Sequence, residues 1–125
     1  MVNIMVVEDN KDVADSLKDI MKSIGHNVAV TYNGEDFLDK VDEFNPELVL
    51  LDVLMPGLKT REILDELNIK GLDFKIILVT AVLFSKEEIN ELMEEYRIVD
   101  YVTKPFTVLD LVDRVNKALG GNENG

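Results

Sequence analysis

Apolar positions along this chain fall into two alternating patterns: short runs without polar interruption, and longer stripes at helical spacing. The first run is Ile4-Met5-Val6-Val7. Val13, Leu17, Ile20, Met21 and Ile24 follow at helical intervals, with Asn10 placed as N-cap and Gly25 just past the end. Val28 and Val30 alternate with Asn27, Ala29 and Thr31, which predicts a half-buried edge strand. Asn33-Gly34 marks a turn or a helix start, Phe37, Leu38, Val41 and Phe44 make the next helical stripe, and Asn45-Pro46 closes it. Leu48-Val49-Leu50-Leu51 is then four bulky aliphatic residues in a row, the pattern of a parallel strand covered on both faces.

The second half repeats the alternation. Ile63, Leu64 and Leu67 predict a third helix ending before Gly71, and Ile76-Ile77-Leu78-Val79 a second doubly buried strand. Ser85 with Glu88 is a capping-box signature for a helix carrying Ile89, Leu92, Met93 and Tyr96. Ile98 to Thr103 predicts the last strand. Thr107 caps a helix striped by Val108, Leu111, Val112, Val115 and Leu119. Five strands alternating with five helices imply an α/β domain with a parallel sheet covered on both faces, the most apolar strands central. That domain spans residues 1–119, and the polar residues 120–125 form a flexible tail.

Composition narrows the chemistry. The 125 residues suit one domain, and 46% hydrophobic content fills a core. Without cysteine and with a single histidine, disulfides and Cys- or multi-His metal sites are excluded. His26 reads as an exposed helix-end residue. A net charge of −12 argues against nucleic acid as a direct partner, because phosphate neutralisation needs Lys and Arg. No stretch approaches the ~20 apolar residues of a membrane span, and no basic leader precedes the first strand. The expectation is a soluble cytoplasmic protein without membrane insertion.

In a parallel sheet the C-terminal strand ends share one edge, where ligands bind. The first run delivers Glu8 and Asp9 to that edge, the third Asp52, the fourth Thr80 and the fifth Lys104. Crowded carboxylates repel unless a cation or proton is shared. Mg2+ suits one or two carboxylates, retained waters and phosphoryl oxygens. Lys104 can pair with remaining negative charge, and Thr80 can donate to an added oxygen.

Val6-Val7-Glu8-Asp9, Leu50-Leu51-Asp52-Val53-Leu54-Met55-Pro56-Gly57, Val79-Thr80-Ala81 and Tyr101-Val102-Thr103-Lys104-Pro105-Phe106 together resemble a response-regulator receiver domain of two-component signalling, over residues 2–119. The resemblance implies a flavodoxin-like five-stranded sheet in order 2-1-3-4-5. It implies Asp52 as phosphoacceptor, and Mg2+ held by Asp9, Asp52 and the Leu54 carbonyl, with Glu8 acting through water. It further implies Lys104 on the phosphoryl group, a cis Lys104-Pro105 bond, and Thr80 with Tyr101 as a switch pair. The implied donor is a sensor histidine kinase or a small acyl phosphate. The implied readout is a changed surface of the fourth helix, fifth strand and fifth helix, met by a downstream protein partner or phosphotransfer protein. Such a chain assists only its own phosphorylation and dephosphorylation. With no effector following the last helix, it reads as a stand-alone receiver, similar to chemotaxis receivers.

Some positions depart from the family pattern. Lys59-Thr60 replaces the usual Asp-Gly, and Arg97-Ile98-Val99-Asp100 replaces a Gly-Ala pair. Leu54 and Val82 are apolar where the family varies residues flanking the phosphoryl group, which implies slow phosphate loss. Rival readings fit less well. A flavin or nucleotide module needs a Gly/Ser/Thr-rich loop after the first strand, where this chain has Glu8-Asp9-Asn10-Lys11. An aspartate phosphatase needs Asp-x-Asp, where this chain has Asp52-Val53-Leu54. A phosphorylation-independent interaction domain leaves the converging polar residues without a use.

Overall fold

The computed structural model describes residues 1–52, 60–81 and 85–120. In chain order the elements are β1 (Asn3–Val7), α1 (Lys11–Ser23), β2 (Asn27–Thr31), α2 (Gly34–Phe44), β3 (Leu48–Leu51), α3 (Thr60–Lys70), β4 (Lys75–Thr80), α4 (Lys86–Glu95), β5 (Ile98–Thr103) and α5 (Val108–Ala118). The strands form one parallel sheet in the order β2-β1-β3-β4-β5. The alternation predicted a parallel sheet covered on both faces, and the family resemblance implied this flavodoxin-like order, with the fully apolar β3 at the centre and the sparser β2 and β5 at the edges.

The uninterrupted runs follow from what covers each face. Side chains alternate across a strand with period two. Met5, Val7, Val49, Leu51, Ile76 and Leu78 enter one core with α2, α3 and α4 residues. Ile4, Val6, Leu48, Leu50, Ile77 and Val79 enter the other with residues of α1 and α5. Both faces are dry, so neither set can be polar. Each helix contributes a stripe in the same way: Ala14, Leu17 and Met21 from α1, Phe37 and Val41 from α2, Leu111 and Val115 from α5.

Caps set the helix entries. Asn10 accepts from the Val13 N–H at 3.1 Å, Asn33 from the Asp36 N–H at 2.8 Å, and Thr107 from the Asp110 N–H at 3.1 Å. At α4 the box is reciprocal: Ser85 Oγ accepts from the Glu88 N–H at 3.1 Å and Glu88 Oε1 accepts from the Ser85 N–H at 2.9 Å. Ser85→Ala is expected to cost about 1 kcal/mol, read as a lowered urea midpoint with an unchanged m-value.

Two local findings differ from the sequence reading. His26 is half-buried rather than exposed, because its Nδ1 accepts from the Val2 N–H at 3.3 Å and ties the start of β1 to the turn before β2. Burial first, and then the N-terminal charge, hold its pKa below the ordinary 6.5. In β5 the pairing with β4 jumps from Ile98 to Asp100, leaving Val99 as an extra, exposed residue.

Candidate functional site

The sheet register brings the strand ends level. Val7 pairs with Leu51 and Thr31, Leu51 with Leu78, and Thr80 with Thr103. The ladders then run one step past the strands: Glu8 N–H donates to Thr31 O at 3.1 Å, Asp52 N–H to Val7 O at 3.0 Å, and Lys104 N–H to Thr80 O at 2.9 Å. The strand backbone thus positions Glu8, Asp52 and Lys104 themselves. The site lies where the chain reverses its winding direction, between β1 and β3, the place where open α/β sheets bind ligands.

Side-chain oxygens of Glu8, Asp9 and Asp52 all lie within 4.8 Å of one another. Glu8 is 1% and Asp52 3% exposed, whereas Asp9 faces solvent. Lys104 Nζ donates to Glu8 Oε1 at 2.6 Å and to Asp52 Oδ2 at 3.4 Å. Glu8 Oε2 accepts from the Asn10 N–H at 3.1 Å. Asn10 therefore serves twice, capping α1 with its side chain and holding Glu8 with its backbone. Lys104-Pro105 is cis, as expected.

Electrostatics follow from this crowding. Burial dominates at Glu8 and, with the nearby Asp52 charge, raises its pKa above the ordinary 4.5, against the lowering effects of Lys104 and Asn10. Burial alone would lower the pKa of Lys104. The hydrogen bond to Glu8 and the Asp52 charge outweigh it, so the ammonium is held charged. A carboxyl whose folded pKa is raised binds more protons folded than unfolded. Its contribution to stability is then greatest below 4.5 and is lost as pH rises through the folded value. Glu8→Gln cannot ionise. In metal-free buffer the stability difference is expected to move in the variant's favour as pH rises from about 4 to 7, measured by urea denaturation. A difference that does not vary with pH would show that Glu8 is no more costly to ionise folded than unfolded.

Of the residues singled out from sequence, Glu8, Asp9, Asp52 and Lys104 come together. Thr80 ends β4 fully buried at the same edge, joined to Lys104 through its carbonyl. Tyr101 stands earlier on β5, half-buried against the core beneath α2, α3 and α4. Leu54, Val82 and Lys59 lie outside the described residues, as does the tail over 121–125. Beside Lys104 the structure also shows an apolar hollow of about 720 Å3, walled by Val13 and Ile20 of α1 and by Pro105, Phe106 and Val108. No sequence signal marks it, since its walls come from opposite ends of the chain.

The oxygen-rich donor set fits a small hard cation such as Mg2+: carboxylates converge, and neither sulfur nor imidazole is present among them. No helix among the described residues is long and apolar enough to cross a membrane.

Comparison with known proteins agrees with this geometry. The family model for the response regulator receiver domain matches residues 4–116. The receiver domain of Francisella response regulator 1452 is similar at 27% identity and TM-score 0.84, over 96% of this chain and 98% of that one. The Thermotoga maritima response regulator TrrA, solved in complex with Mg2+ and BeF, is similar at 33% identity and TM-score 0.78, over 94% of this chain and 99% of that one. Vibrio cholerae chemotaxis protein CheY4, at 18% identity, shares the fold with TM-score 0.85, over 94% and 98% of the two chains. The chain belongs to the response regulator receiver domain family and is the receiver domain of a two-component response regulator.

Proposed function

We propose that Asp52 accepts a phosphoryl group and that the chain is a phosphorylation-activated switch. The observation that carries this reading is the convergence of the Glu8, Asp9 and Asp52 oxygens within 4.8 Å, with the Lys104 ammonium among them. An Asp52 carboxylate oxygen attacks the phosphorus of a kinase phosphohistidine or a small acyl phosphate. The new O–P bond forms as the P–N or P–O bond to the donor breaks, and the imidazole or acid leaves. No separate base is needed, because the nucleophile is already an anion.

Attack of an anion on an anionic group requires neutralisation. Mg2+, held by Asp9, Asp52 and the Leu54 carbonyl, with Glu8 acting through water, would supply part of that charge. Lys104 supplies the rest, and its links to both buried carboxylates hold it at the reacting edge. The Thr80 hydroxyl donates to an oxygen of the new acyl phosphate, and Tyr101 turns into the space that Thr80 vacates. This is a bias between two conformations, exerted by contacts that exist in only one of them. A protein partner reads the resulting α4–β5–α5 surface. The donor partner is a sensor histidine kinase, and the chain acts on no substrate beyond its own phosphoryl group.

The test is intact mass after incubation with acetyl phosphate. A gain of about 80 Da that requires Mg2+ is expected. Absence of the adduct, together with no response to beryllofluoride, would leave a receiver-shaped interaction domain that works without phosphorylation.

A further inference from the structure

We propose that Asp100 and Arg114 form a positioning device that fixes the backbone at Tyr101 and connects it to α5. The proposal rests on the reading of Tyr101 as a switch residue. β5 is an edge strand, bonded only to β4 within the sheet. Lys104 N–H points to β4, where it meets Thr80 O. Strand alternation then turns the N–H of Val102 to β4 and that of Tyr101 to the open edge. An edge amide of this kind ordinarily meets water or a foreign strand. Here the Tyr101 N–H donates to Asp100 Oδ1 at 2.7 Å.

The same oxygen accepts from Arg114 Nη1 at 2.6 Å. Arg114 Nε in turn donates to both oxygens of Asp110, one helical turn earlier, at 3.1 Å each. The guanidinium fork thus spans a carboxylate on β5 and a carboxylate on α5. Isolated surface ion pairs contribute little. This pair differs because both ends are held: Asp100 by a backbone amide, Arg114 by a second carboxylate on its own helix. Arg suits this role because its donors are fixed in one plane and reach two acceptors at once.

The Val99 bulge lies immediately before this segment, where β5 leaves its regular pairing with β4. Movement of the peptide that joins Asp100 to Tyr101 therefore displaces Asp100, and with it the Arg114 fork and the exposed face of α5 that carries Leu109 and Asp110. The device also occupies the edge amide against strand addition by another chain.

Amide NMR with beryllofluoride and Mg2+ separates the outcomes. In Asp100→Ala the Tyr101 amide is expected to exchange about tenfold faster than in wild type. Beryllofluoride is expected still to shift the Asp52 and Thr80 amides, while the shifts at Asp110 and Arg114 fall to less than half. Asp100→Asn, which keeps an oxygen able to accept both bonds, should restore slow exchange and most of the α5 response. If α5 responds in Asp100→Ala as it does in wild type, or the Tyr101 exchange rate is unchanged, the positioning role is overturned while the phosphoacceptor reading stands. If wild type shows no shift at Asp52 or Thr80, both fall together.

Discussion

Asp52→Asn is expected to gain no phosphoryl group from acetyl phosphate in Mg2+, under conditions where the wild type gains about 80 Da. The substitution is nearly isosteric, and the Asp52 N–H bond to Val7 O that seats the residue at the end of β3 is a backbone contact. The fold is therefore retained, and a thermal midpoint close to that of wild type serves as the control. The nucleophile is not retained. An amide oxygen carries no charge and cannot form a stable acyl phosphate, so transfer should fall on the order of a thousandfold or more, the scale for removing a nucleophile. The cation site loses one of its three carboxylates as well, so Mg2+ affinity should weaken. A full adduct in Asp52→Asn would place the phosphoryl group on another residue.

Lys104→Met is expected to be destabilised by about 2–4 kcal/mol near neutral pH. Removing one partner of a buried charge pair typically costs about 3–5 kcal/mol, because the other charge stays desolvated. The lower range is chosen because the Lys104 side chain is 21% exposed. Two buried carboxylates lose their ammonium at once, Glu8 at 2.6 Å and Asp52 at 3.4 Å. Glu8 is already above its ordinary 4.5, so the loss of Lys104 raises it further. The deficit should therefore shrink as pH falls and Glu8 takes up a proton, and Mg2+ should recover part of it at neutral pH. Urea denaturation at about pH 7 and pH 5, with and without Mg2+, measures each arm. A loss below about 1 kcal/mol that is insensitive to pH would mean that solvent, rather than Lys104, screens the two carboxylates. Phosphoryl transfer should also slow in this variant, since part of the neutralising charge is gone.

Much of the fold was legible because its signals are local. Ile4–Val7, Leu48–Leu51 and Ile76–Val79 are apolar at every position, and in the structure each run feeds a separate core on each face of the sheet. The helix entries at Asn10, Ser85 and Thr107 were legible for the same reason, a cap being a contact across three residues, whereas Asn33 read equally as a turn until the structure showed it capping α2. The edge placement of β2 and β5 followed from their mixed polarity. The polar strand ends pointed to the site because parallel strands must deliver their C-termini to one edge.

The pairings within the site were not legible. Lys104 was expected to pair with negative charge at the strand ends, but that Glu8, far away in sequence, accepts from it at 2.6 Å was set by the register of β1, β3, β4 and β5. The burial of His26 depended on the approach of the Val2 amide. The Asp100–Arg114 pair needed β5 at the sheet edge and α5 laid across it. By itself the sequence determined which segments become strands and helices, which faces are dry, and which charged residues end the strands, because periodicity and capping act within a few residues. Which charges meet, how deeply they are buried and which side chain holds an edge amide were decided only by the tertiary structure, because those contacts depend on strand register and on the burial that raises their electrostatic stakes.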